Sequence, residues 1–169
     1  MEAHAPKLIV RDAQSGDYSA LADLYNYYVL NTVTTFEEEP VSAEEIGSRV
    51  QDVVGWDLPW IVLIRDEELL GYACAVHWKH RSAYRHSVES TIYLRQGILG
   101  YGLGAHLYRE LLERLRAGGL HTALAGIALP NDASVALHEK LGFREVAQFS
   151  EVGNKFDRWV DVGYWQLML

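Results

Sequence analysis

Residues 90–107, STIYLRQGILGYGLGAHL, constrain this chain more than any other stretch. A β-branched and aromatic run, residues 91–94, enters a turn carrying Gly97, Gly100, Gly102 and Gly104. Apolar positions at helical spacing begin at once with Leu103 and Leu107. Strand, glycine turn and helix in immediate succession make a seat for a phosphate group. Glycine lets the backbone approach an anion closely, and the free N–H groups of the first helical turn point at it along the positive end of the helix dipole.

With 169 residues, 49% of them hydrophobic and 22% charged, the chain can bury a sizeable core as one α/β or α+β domain over residues 1–169. The formal charge of −8, with no run of Lys and Arg, argues against a nucleic-acid partner and for a small-molecule ligand. Cys74 is the single cysteine and lies in an apolar run, so a disulfide framework and a cysteine zinc site are both excluded; a buried thiol and no metal are expected. The first residues, MEAHAPK, hold no apolar leader, and the longest apolar run, near residues 123–130, is too short for a membrane span. A cytoplasmic protein with no membrane partner is expected.

The pattern predicts a first strand at residues 8–11 and a helix at 18–30 capped by Asp17, with Leu21, Leu24, Tyr25 and Tyr28 on its apolar face. Residues 31–40, NTVTTFEEEP, read as a loop or extended arm whose lone ring, Phe36, either plugs the core or lines a pocket. A second helix is expected at 42–54, with Ser42 and Glu45 in a capping box. A hairpin of residues 60–64 and 69–78 turns at Asp66 and Glu67, and the strand 87–94 follows. The glycine-turn helix should stop at Gly118 and Gly119, ahead of a strand at 121–129 and a helix that opens near Asn131 and ends before Gly142. Two closing strands, 143–151 and 159–169, are joined by a loop GNKFDR. The order β-α-α-β-β-β-α-β-α-β-β is a mixed sheet with helices packed on it.

Three groups of side chains carry chemistry. The segment WKHRSAYRH, residues 78–86, concentrates cations and aromatics in an acidic chain; it is either a solvated loop or an anion clamp through Lys79 and Arg81. Glu89 sits a few residues before the phosphate turn, where a carboxylate can act as a general base. Ser134 and His138 lie at i and i+4 on one helix face, just after Asn131. A Walker loop is excluded because no Gly-Lys-Ser/Thr follows the glycines. A Rossmann site fits poorly, since no acid stands between Glu113 and Asp132 to hold a ribose.

Strand, glycine turn, helix, strand and then NDASVALHEKLGF together resemble the GNAT superfamily of acetyl-CoA-dependent N-acyltransferases, whose signature turn is Gln/Arg-x-x-Gly-x-Gly/Ala. The chain looks most like the branch that acetylates phosphinothricin, methionine sulfone and methionine sulfoximine. The likeness runs nearly end to end, through TTFEEEP, PWIVL, HWKHRSAY, VESTIYL, GYGLGAHLY and WVDVGYWQL. It implies the GNAT fold, a mostly antiparallel mixed sheet flanked by helices, and acetyl-CoA as co-substrate. Gly100, Tyr101, Gly102, Leu103 and Gly104 would hold its pyrophosphate, while Ile92, Tyr93, Leu94, Asn131 and Ser134 would line its pantetheine arm. Glu89 matches the general base, and His138 stands where many GNAT enzymes place a tyrosine that protonates the leaving thiolate. Phe36, Lys79, Arg81, Tyr84 and Thr91 match residues that grip a small amine substrate with an anionic group. Leu99 occupies the signature's Gln/Arg position, which leaves the backbone amides to carry the phosphates. The resemblance also implies a homodimer. Two other readings stay open at this point: an acyl-CoA-binding sensor that does not catalyse, and a GNAT enzyme acting on another small amine or a protein amine.

Overall fold

A computed structural model of the chain describes residues 7–98 and 101–169. Its centre is a seven-stranded sheet in the order β1-β2-β3-β4-β5-β7-β6. The strands are β1 (Leu8–Asp12), β2 (Trp60–Arg65), β3 (Glu68–His77), β4 (Ser87–Leu94), β5 (Thr122–Leu129), β6 (Arg144–Lys155) and β7 (Arg158–Met168). The helices are α1 (Tyr18–Asn31), α2 (Ala43–Gly55), α3 (Leu103–Ala117) and α4 (Asp132–Lys140). Every neighbouring pair runs antiparallel except β4 and β5, which are parallel. The expected element order and fold class are those observed.

Helices cover both faces of the sheet, and the register says which. Along β4, Tyr93 packs against Tyr25 of α1, with ring centroids 5.3 Å apart, whereas Ser90 bonds to Tyr108 of α3. An odd separation of three residues places these side chains on opposite faces. Thus α1 and α2 lie over the Glu89, Thr91 and Tyr93 face, and α3 lies over the Ser90, Ile92 and Leu94 face. The strands β2 and β3 between them are buried almost throughout, which is why they read as near-continuous apolar runs. The Cys74 thiol is buried in mid-β3, and burial pushes its pKa up to about 12, so it is not an available nucleophile.

Three local expectations are corrected. Asp17 stands at the N-cap of α1, but its side chain makes no capping bond there. It closes a one-turn 3-10 helix, Ser15–Asp17, where its carboxylate accepts from the Gln14 amide at 2.8 Å and pairs with Arg11 at 2.7 Å. Ser42 does cap α2, its Oγ accepting from the Glu45 amide at 3.1 Å, but the Glu45 carboxylate pairs with Arg49 one turn on. The arginine competes successfully for the acid that a capping box needs. The GNKFDR stretch is not a loop. β6 and β7 run through it and leave only Phe156 and Asp157 as a two-residue turn, both with positive φ, the backbone that matches the twist of a hairpin.

Residues 32–42 form the extended arm anticipated between α1 and α2, and it is fastened at several points. Tyr25 Oη lies 2.7 Å from Thr35 Oγ1, the Asn26 amide brackets the Val41 backbone with two 2.8 Å bonds, and the buried Lys155 ammonium donates to the Thr35 carbonyl at 2.8 Å. Phe36 lies flat on β6 at Gly153, where an added Cβ would stand 2.3 Å from its ring.

At the C-terminal end of β4 the packing is just as close. A Cβ on Gly71 of β3 would meet the Tyr93 carbonyl oxygen at 2.7 Å and the Leu94 side chain at 2.6 Å. Because one of these is backbone in a paired strand, relief requires shifting the ladder. Gly71→Ala is therefore expected to destabilise by about 1–3 kcal/mol despite the entropy that alanine removes from the unfolded chain. At ~2–4 °C per kcal/mol for a chain of this size, a melt distinguishes this from a neutral change.

Candidate active site

The parallel ladder between β4 and β5 holds only three pairs, Ser87↔Thr122, Val88↔Ala123 and Glu89↔Leu124. Both strands continue for five residues beyond it, β4 held by β3 and β5 held by β7, so their facing edges diverge into a fork. Along this fork lie three adjoining spaces that share lining residues. On the Glu89 side lies a cavity of about 590 Å³ bordered by Thr34, Phe36, Lys79, Glu89, Gly126 and Tyr164. At the apex is a small space of about 70 Å³ between Ser90–Tyr93 and Asn131, Ser134 and His138. Towards the α3 end follows a space of about 300 Å³ bordered by Tyr28, Ile92, Leu94, Gln96, Ser134 and Leu137. Thr34 of the fastened arm borders all three.

Glu89 is the acid of the large cavity. It is half-buried, and that burial raises its pKa above the usual carboxylate range, against a smaller opposing pull from Lys79. Room for the carboxylate comes from Gly126 across the fork, where a Cβ would lie 3.3 Å from Glu89 Oε1. Lys79 sits with its ammonium 4.5 Å from the centre of the Trp78 ring, and Trp78 meets Tyr164 edge-on at 5.4 Å. Phe36, Lys79 and Glu89 thus come together as the sequence suggested. Arg81 and Tyr84 do not join them: they belong to an exposed loop around a 3-10 turn, Ser82–Tyr84, and do not border the cavity. Thr91 borders the fork apex instead of the large cavity.

His138 is 3% exposed, and both ring nitrogens are engaged. Nδ1 lies 2.7 Å from the Ser134 carbonyl oxygen, and Nε2 lies 3.1 Å from Tyr108 Oη. Burial lowers its pKa, partly offset by the bond to the Ser134 carbonyl. Tyr108, fully buried, continues to Ser90 Oγ at 2.8 Å, and Ser90 reaches the Leu124 carbonyl at 3.2 Å. Asn131 caps α4, its Oδ1 accepting from the Ser134 amide at 3.2 Å, so its amide N–H groups are what it offers to the groove.

At the far end, Gly102 is the N-cap of α3 with φ of 72°, a left-handed backbone that glycine adopts without strain, and the first N–H groups of α3 follow it. Gly104 lets α3 close on the sheet and on α4, since a Cβ there would stand 3.2 Å from Leu94 and 3.5 Å from Leu137. Tyr101 projects into solvent at 79% exposure. Gly100 and Leu99 lie outside the described residues. Among the described residues no group of His, Cys, Asp and Glu has the arrangement of a metal site, and no helix is long and apolar enough to cross a membrane.

Four residues of this arrangement escaped the sequence reading: Thr34, Ser90, Tyr108 and Tyr164. Ser90 and Tyr108 sit in strand and helix patterns that look like core, and nothing in their spacing sets them apart. Only the neighbouring Glu89 and the glycine turn pointed to this part of the chain.

The comparisons with known proteins bear on what this groove holds. Residues 21–143 match the model of the Acetyltransferase (GNAT) family. The phosphinothricin N-acetyltransferase of Streptomyces coelicolor is 41% identical, over 93% of this chain and 94% of its own length. The L-methionine sulfoximine/L-methionine sulfone acetyltransferase of Pseudomonas aeruginosa is 37% identical, over 95% of this chain and 94% of its own. A Salmonella typhimurium acetyltransferase, solved with its cofactor acetyl-CoA, superimposes with a TM-score of 0.94 at 32% identity, covering 96% of this chain and 94% of that one. A sheet forked between its parallel strands β4 and β5, a glycine-opened helix near one end of the fork and relatives matched over nearly their whole length agree: this chain belongs to the GNAT family and is an N-acetyltransferase.

Proposed function

We propose that this enzyme transfers the acetyl group of acetyl-CoA to the amine of a small amino acid analogue that carries a second anionic group, of the phosphinothricin or methionine sulfoximine/sulfone kind. The observation that carries the reading is the succession of adjoining spaces, which runs from Gln96 and Leu137 through the fork apex to the cavity of Glu89 and Lys79. The names of the Streptomyces and Pseudomonas relatives support the acceptor class, and the bound acetyl-CoA of the Salmonella structure supports the co-substrate.

The residues fit such a ligand. The left-handed Gly102, the amides after it and Gly104 make the pyrophosphate seat, to which we also assign Tyr101 and Leu103. The β4 edge from Ile92 to Leu94, with Asn131 and Ser134, borders the space for the pantetheine arm. Acetyl-CoA supplies the acetyl group as an activated thioester. Glu89 takes the proton from the acceptor's ammonium, and its raised pKa narrows the gap to an amine that an ordinary carboxylate would face. Lys79 meets the acceptor's anionic group, with Phe36 as a wall, and backbone N–H groups on the unpaired β4 edge face the developing negative charge. His138 is the source of the proton for the departing thiolate. The enzyme is proposed to act as a cytoplasmic homodimer in which a second copy covers the outer strand β6, where Val146, Phe149 and Val152 are each at least half exposed beside the large cavity.

Thiol release from acetyl-CoA is expected with phosphinothricin, methionine sulfoximine or methionine sulfone and not with simple alkylamines; silence across the whole panel would rule out the reading. A protonated carboxyl cannot accept a proton, so kcat/KM should fall as pH drops through the raised pKa of Glu89, above the usual carboxylate range. Glu89→Gln should remove that limb and lower kcat on the order of a hundredfold or more, with acetyl-CoA affinity by calorimetry unchanged. Equal turnover in the variant takes Glu89 out of the role. Sedimentation velocity should give a dimer, and Val152→Asp should give monomers; a wild-type monomer would defeat the dimer.

A further inference from the structure

Building on the proposed role of His138 as proton source, we infer that Ser90 and Tyr108 form a proton relay that carries its proton to the thiolate sulfur at the apex of the fork. The starting point is that the imidazole, although its ring borders the apex space, has no free nitrogen to offer there. Two acceptors do not sit 2.7 Å apart, so the nitrogen facing the Ser134 carbonyl carries a hydrogen in every state. The exchangeable nitrogen is therefore Nε2, and it faces Tyr108 Oη at 3.1 Å, inside the protein. From there the chain runs to Ser90 Oγ at 2.8 Å, and Ser90 borders the apex space.

Counting hydrogens gives the relay its two settings. Backbone carbonyls, which only accept, terminate it at Ser134 and Leu124. With Nε2 protonated, it donates to Tyr108, Tyr108 to Ser90 and Ser90 to Leu124, and every bond is made. With Nε2 bare, Ser90 donates to Tyr108 and Tyr108 to Nε2, while the bond to Leu124 is given up. The two settings differ by the one proton on Nε2, which is the proton the relay delivers, and by the rotation of the two hydroxyls. In the transfer step the Nε2 proton passes to Tyr108 Oη, the Tyr108 proton to Ser90 Oγ and the Ser90 proton to the thiolate sulfur, forming S–H. Imidazolium and thiolate become imidazole and thiol, and the two hydroxyls are regenerated. Burial, which lowers the pKa of His138, makes this direction favourable against a thiol whose ordinary pKa is about 8.5. Around the ring stand Tyr108 from α3, Phe143 before β6 and Ser134 of its own helix, and of these three only Tyr108 titrates.

Imidazole 15N spectra of the free protein should show His138 as the Nδ1–H tautomer. Ser90→Ala, which removes no hydrogen-bond partner of the imidazole itself, and Tyr108→Phe should both move its titration to lower pH, because each cuts the chain of acceptors that satisfies the protonated ring. In turnover both variants should lose kcat on the order of tenfold or more with KM for both substrates unchanged, and Ser90→Thr should restore it. Adding Ser90→Ala to His138→Gln should cost nothing further. Melting temperatures above the assay temperature exclude loss of fold as the cause. A Ser90→Ala enzyme with unmoved His138 titration and full kcat overturns the relay alone, as does a multiplicative loss in the double variant. Full kcat in His138→Gln overturns both the relay and the proton source on which it rests.

Discussion

The rest of the structure is arranged around an incomplete pairing. A parallel ladder that stops after Glu89↔Leu124 leaves two strands with backbone edges that no neighbouring strand fills. Such edges are costly when buried and dry, so a fork of this kind is stable only where a ligand, water or a helix end supplies partners. The flanking pairs make the opening possible: β4 is held along its length by β3, and β5 along its length by β7, so neither strand needs the other beyond the apex. The groove is thereby framed by two halves of one sheet, to which the arm and the loop after β3 add side chains.

Each face of the sheet contributes a different chemistry because side chains alternate. On β4, Glu89 faces the α1 and α2 side and the large cavity, while the adjacent Ser90 faces α3 and the His138–Tyr108 network. One step along a strand thus separates the proposed base from the proposed acid by the thickness of the sheet. Opposed pKa shifts follow from the same burial, which disfavours charge on both: Glu89 goes up and His138 goes down. The arm of residues 32–42 adds the third element. Its fastening by Tyr25, Asn26 and Lys155 keeps Thr34 and Phe36 against the groove, and Gly153 is what lets the Phe36 ring lie on β6.

Much of this was legible beforehand, for physical reasons that differ by residue. Strands β2 to β5 and helices α1 and α3 announce themselves through long apolar periods, and the α3 start through a cluster of glycines, of which Gly102 takes the left-handed backbone. Glu89 was legible because an acid in a strand-forming run beside a phosphate turn has few structural uses. Asp17 misled because a carboxylate before a helix caps it only if no better partner is near, and Arg11 is near. The closing hairpin misled because GNKFDR is polar, and a strand whose outer edge is open to solvent can be polar without being a loop. Arg81 and Tyr84 share a dense run with Lys79, but a 3-10 turn at Ser82–Tyr84 carries them away from the cavity that Lys79 borders.

By itself the amino-acid sequence determined the element order, the mixed sheet and the glycine-opened start of α3, because these depend on local periodicity and on backbone freedom at a few glycines. Tertiary structure decided what stands across the groove from what. That Gly126 leaves room for Glu89, that Lys155 holds Thr35 from 120 residues away, and that His138 reaches Ser90 through Tyr108 depend on strand register and helix docking. A single buried tyrosine on an apolar helix face looks the same in sequence whether its hydroxyl is idle or joins two functional groups. Only the fold, by bringing α3, α4 and β4 within hydrogen-bonding distance, separates the two.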